Sequence, residues 1–102
     1  MREHRYQVTL DYLSDKDGVA VSREPLSFEV GNHDDIFMIV EWMRGRGDFN
    51  ENDATAFGVG LKLFSEVMLK NNPLFSSFMP HFMEFMKNLK KGPAEGGSGQ
   101  SV

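Results

Sequence analysis

Three short runs of this chain hold side chains that could do chemistry. The first is His33-Asp34-Asp35, an imidazole followed by two carboxylates. Such groups can hold a metal ion or form a polar lip for a ligand. They sit where a helix is expected to begin, and adjacent residues on a helix point about 100° apart. Three neighbours therefore converge poorly on one ion, and capping the helix is their plainer use. The second run is residues 13–24, where Asp15, Asp17, Gly18 and Glu24 fall at positions 3, 5, 6 and 12 of a calcium loop. Position 1 is Leu13 instead of Asp, and the flanks read as strands. A hard cation needs many oxygens, so this run is read as a turn. The third, Arg46-Gly47-Asp48, spells an integrin tripeptide and is read as a connector between helices.

Nothing else points to catalysis. The chain has no cysteine, which removes thiolate nucleophiles, thiolate metal sites and disulfides. It has no Gly-x-Ser-x-Gly, and no serine lies beside a base by local motif. Gly58 and Gly60 interrupt a helical pattern, at about 1 kcal/mol each relative to alanine. Close helix approach is the simple account of them, and a small ligand groove the sharper one. No catalytic residue, metal or cofactor is expected.

The elements that would position these groups follow from periodicity. Residues 5–13, RYQVTLDYL, alternate, with Tyr6, Val8, Leu10 and Tyr12 on one face. Residues 25–30, PLSFEV, alternate again, with Leu26, Phe28 and Val30 inward. Turn residues separate the two, so an antiparallel hairpin is the simplest pairing. Asn32 is expected to cap a first helix with Ile36, Ile39, Val40 and Met43 as its buried stripe. A second helix after Asn50 has the seam Ala54, Phe57, Leu61, Phe64 and Met68, and a third region repeats that spacing with Phe78, Phe82, Phe85 and Leu89. Pro80 should kink that region or start a fresh turn. The expected fold is α+β, an N-terminal antiparallel β-hairpin covered by three helices in the order β-β-α-α-α. Residues 1–91 form a single domain, and residues 92–102 a flexible Gly/Ser-rich tail.

The third helical region carries more aromatic and thioether surface than one neighbour covers. Phe82 and Phe85 are expected in the core. Met79, Met83 and Met86 fall on the shoulder of the stripe and, with Trp42, are the candidate interface. The chain has 102 residues and a net charge of −4, which disfavours a nucleic-acid surface built on clustered Lys and Arg. Lys87, Lys90 and Lys91 suit a helix C-terminus. No apolar run is long enough to span a bilayer and the start lacks a signal-peptide core, so a cytoplasmic location is expected.

The phrases RYQVTLDYL, LSFEVGNHDDIF and TAFGVGLKLFSEVML, then PLF and FMEFMKNLK, resemble a small bacterial family known as a domain of unknown function. FEVGNHDDIF and GLKLFSEVMLKN are the specific part, and the resemblance covers about residues 1–91. It implies a small, soluble, stand-alone bacterial protein and carries over no catalytic residue. The function expected is a protein-interaction module forming homo-oligomers, with itself or another protein as partner, and neither nucleic acid nor membrane. The alternative is a small-molecule-binding domain or minor enzyme. Its pocket would lie between hairpin and helices, with His33, Asp34 or Asp35 as polar groups.

Overall fold

The structure, a computed structural model, describes residues 2–92. The expected tail from residue 93 onward lies outside the described residues. The chain divides after His33 into two compact units.

The first unit is an antiparallel hairpin of β1 (His4–Leu10) and β2 (Leu26–Asn32). Tyr6 pairs with Val30, Val8 with Phe28 and Leu10 with Leu26. Directly opposed residues share a face, so these three rungs form the apolar side. The other side is polar: Arg5 pairs with Glu29 at 3.2 Å, and the Thr9 and Ser27 hydroxyls hydrogen-bond at 2.9 Å. Residues 11–25 close the hairpin. Ser14 bridges Ala20, Gly18 takes φ +84°, and Asp15 Oδ1 accepts from the amides of Asp17 and Val19, both at 2.9 Å. The first strand is thus shorter than its alternation suggested, because the chain turns away from the ladder after Leu10.

The second unit holds four helices among the described residues: α1 (Ile36–Gly45), α2 (Glu51–Lys70), α3 (Asn72–Phe75) and α4 (Met79–Lys90). The expected third helical region is therefore two pieces. Pro80 stands in the first turn of α4, where its missing N–H needs no partner, so it starts a new helix instead of kinking an old one. The cap of α1 is Asp35, not Asn32. Asp35 Oδ1 accepts from Phe37 N at 3.0 Å and Met38 N at 3.4 Å. Asn32 is the last residue of β2, and pairing with His4 holds it in the strand. The second helix begins after Asn50 as expected, and Asn50 caps it, its Oδ1 accepting from Asp53 N at 2.8 Å.

The core of this unit is Met43 from α1, Ala54, Leu61 and Met68 from α2, and Phe82 and Leu89 from α4. The α1 stripe is as its spacing implied: Ile36, Val40 and Met43 are buried and Ile39 is half-buried. On α2 the expected seam residues Ala54, Leu61 and Met68 are buried. Gly58 is buried, whereas Phe57 is half-buried and Phe64 exposed. A Cβ on Gly58 would stand 3.0 Å from Val40 Cγ2, so glycine is what admits α1 there. On α4 the inner row is Met79, Phe82, Met86 and Leu89, and Phe85 is a flank residue, 43% exposed. Both rows obey the three-four spacing, which is why the sequence alone favours the larger ring. No helix among the described residues is long and apolar enough to cross a membrane.

Candidate functional site

Trp42 stands on α1 and is 44% exposed. It borders a groove of about 370 Å³ floored by Ile39, Met43, Leu61, Met86 and Leu89. Asp34, Lys62 and Lys90 supply its polar rim, and Lys62 Nζ reaches Asp34 Oδ2 at 2.5 Å. Arg46 packs against Trp42 and Phe49. Its guanidinium carbon lies 5.5 Å from the Trp42 ring centre and 5.9 Å from that of Phe49. The same guanidinium donates to the Leu89 carbonyl at 2.7 Å and holds Asp48 through two bonds of 3.0 and 2.7 Å. That carbonyl, at the end of α4, also accepts from Gly92 N at 3.1 Å, so the guanidinium adds a charge-assisted bond to it. The tripeptide Arg46-Gly47-Asp48 is therefore an internal clip, with the Arg46 side chain only 9% exposed. The hydrogen bonds from Arg46 hold the Asp48 carboxyl below its ordinary pKa.

The four residues expected at an interface have different surroundings. Met79 and Met86 pack against the core, while Met83 is 56% exposed and Trp42 lies under Arg46. Around them runs an aromatic cluster. Phe64 meets Phe75, Phe78 and Phe82 edge-on at 5.6–6.3 Å between ring centres, and Phe57 meets Phe85 at 6.1 Å. Such edge contacts add to area burial, which accounts for much of the Phe surface that looked surplus in the sequence.

Of the residues expected to form a polar lip, Asp34 lines the groove beside Trp42. Asp35 caps α1 and Asp34 pairs with Lys62. His33 is exposed and ends the first unit. In the run read against a calcium loop, Asp15 spends its carboxylate on backbone amides, as an Asx turn does. Among the described residues no three His, Asp or Glu side chains gather as metal ligands would. A Cβ on Gly60 would meet open space, so no close approach accounts for that glycine.

The hairpin offers the other surface. Along its apolar face, burial runs in a gradient. Val8, Tyr6 and Val30 are half-buried, whereas Leu10, Leu26 and Phe28 are 64%, 61% and 42% exposed. At the closing end a concavity of about 520 Å³ is lined by Leu10, Tyr12, Leu13 and Leu26, with Arg23 stacked 4.9 Å from the Tyr12 ring centre. No residue of β1 is buried, while β2 ends in buried Gly31 and Asn32. The sheet has two strands only among the described residues, so no third strand pairs with the outer edge of β1. Sequence reasoning had the alternation that makes this face but not its exposure, which depends on what packs against it. The connector Arg46-Gly47-Asp48 was legible as such, but not the partners of Arg46, which are a backbone carbonyl 43 residues away and a loop carboxylate.

A two-stranded antiparallel hairpin followed by helices defines an α+β protein. The chain belongs to the DUF3861 family, described as a domain of unknown function with solved structure, whose model matches residues 4–91. It is similar to a crystal structure of a protein of unknown function from Pectobacterium atrosepticum. Identity is 41% and the TM-score 0.74, over 88% of this chain and 99% of that one. No curated protein matches the chain.

Proposed function

We propose that this protein is an interaction module that works by pairing with a second copy of itself. The observation that carries the reading is the hairpin's apolar face, with Leu10 and Leu26 each more than 60% exposed on one rung and Phe28 beside them. Isolated exposed apolar residues are ordinary, but a contiguous set on a sheet face marks a contact surface. An edge strand without a neighbour adds a row of backbone donors and acceptors. Light scattering on the eluting protein, at two loadings, tests it. The expected mass is twice the 11.6 kDa of one chain, falling on dilution. A mass of one chain at both loadings overturns the reading. Met83→Lys should leave the doubled mass intact if the hairpin carries association, and should lower it if the α4 surface does.

A second reading, a small-molecule site, is favoured by the groove beside Trp42. Its volume is within the range of about 300–1,000 Å³ typical of ligand pockets. Trp42 is the chain's one tryptophan, so its emission reports on this groove directly. A saturable change in emission with a small aromatic carboxylate would support that reading, and a flat response would count against it.

A further inference from the structure

We infer that the contact between copies is made by β1, paired edge to edge and antiparallel with β1 of the second copy across a two-fold axis at Gln7. This rests on the self-association reading and gives it a geometry. The two hairpins then form one four-stranded antiparallel sheet in the order β2-β1-β1-β2.

Charge selects this edge over the other. β1 spans His4–Leu10 and its midpoint is Gln7. Pairing about Gln7 sets Gln7 against Gln7, Arg5 against Thr9 and Tyr6 against Val8 of the second copy. No like charges oppose, and Arg5 is already engaged by Glu29 of its own chain at 3.2 Å. β2 spans Leu26–Asn32, and its midpoint is Glu29. Pairing β2 with itself sets carboxylate against carboxylate, which is destabilising in a directly opposed pair. Pro25 immediately before β2 also lacks an N–H to give, and Gly31 within it is buried. Pairing β1 with β2 of another copy is head-to-tail, does not close at two chains and leads to open chains.

Apart from the charge of Arg5, which Glu29 of the same chain engages, the features that natural edge strands use against such pairing are missing from β1. It has no proline and no lysine, its register with β2 is continuous without a bulge, and none of its residues is buried. The pairing also extends the apolar side. Tyr6 and Val8 of each chain meet across the seam, and Leu10 comes to face His4 of the other copy. A sheet of four strands is a sturdier object than an isolated hairpin, which is marginal in water.

The chain has no cysteine, so single-cysteine cross-linking is clean. Gln7→Cys and Ser27→Cys both place a thiol on the polar side of the hairpin, at exposed positions. In the proposed sheet the position 7 Cβ atoms are about 5 Å apart. The position 27 atoms are three strand spacings apart, roughly 14 Å, before any offset along the strands. With a short bis-maleimide, the Gln7→Cys protein should cross-link to a dimer at least tenfold faster than the Ser27→Cys protein, and the advantage should disappear in urea. Light scattering on the reduced proteins separates the two ideas. A doubled mass with no advantage at position 7 overturns the β1 pairing and leaves self-association standing. A single-chain mass with no cross-link overturns both.

Discussion

Gly58 and Gly60 lie two residues apart on the same helix, and the structure gives different outcomes to the same substitution. Replacing either by alanine removes the helix cost of glycine, about 1 kcal/mol. At Gly60 the new Cβ meets nothing within 4 Å, so the whole gain should appear as stability. At Gly58 it would stand 3.0 Å from Val40 Cγ2, 3.4 Å from Val40 Cα and 3.6 Å from Met43 Cγ. Val40 is buried and branched at Cβ, so it cannot swing aside cheaply. Overpacking of this kind costs roughly 1–3 kcal/mol, which cancels or exceeds the helix gain. The two variants should therefore differ by about 1–3 kcal/mol, with Gly60→Ala above wild type and Gly58→Ala at or below it. Urea unfolding followed by far-ultraviolet circular dichroism, at one fixed protein concentration, reads this as a separation of midpoints with equal slopes. A Gly58→Ala protein as stable as Gly60→Ala would refute the close approach of α1 and α2 at this point.

Other outcomes follow from the same contacts. Asp35→Ala should cost about 0.5–2 kcal/mol in urea unfolding, because it removes the α1 cap; an unchanged midpoint would put the helix start elsewhere. Phe82→Ala should cost about 3–5 kcal/mol, whereas the half-exposed Phe85 should cost distinctly less when truncated. Equal losses would mean that Phe85 shares the core row. Asp48 has its pKa lowered by Arg46, so its contribution is complete above the ordinary carboxylate range and is lost as pH falls through the folded-state value. Asp48→Asn should then be less stable than wild type at neutral pH, with the gap closing in acid. A gap that stays constant to low pH would contradict the clip.

How far the sequence carries can be seen in single residues. The start of α2 after Asn50, the alternation of Tyr6, Val8 and Leu10, and the α1 stripe were all legible. Each depends on a local rule with no close competitor. Where two readings obeyed the same rule, the sequence could not choose. Asn32 and Asp35 are equally good caps three residues apart, and strand pairing with His4 decided between them. Phe85 and Met86 both fit the row on α4, and Phe57 and Gly58 both fit the seam on α2. Packing favoured the slimmer residue each time, because it lets the helices approach, and left the rings to meet edge-on at the flank. Arg46 was illegible because its role is set by a carbonyl far away in the chain.

The central claim is that β1 is the seam between two copies. Amide hydrogen exchange along His4–Leu10, measured on the wild-type protein at low and high concentration, tests it most directly. Every second amide of a strand points away from its hairpin partner. Those amides of β1 should exchange freely in dilute solution and become protected as concentration rises, while the amides that bond to β2 stay protected throughout. Outward-facing β1 amides that exchange equally fast at both concentrations, in a sample whose mass doubles, would contradict it.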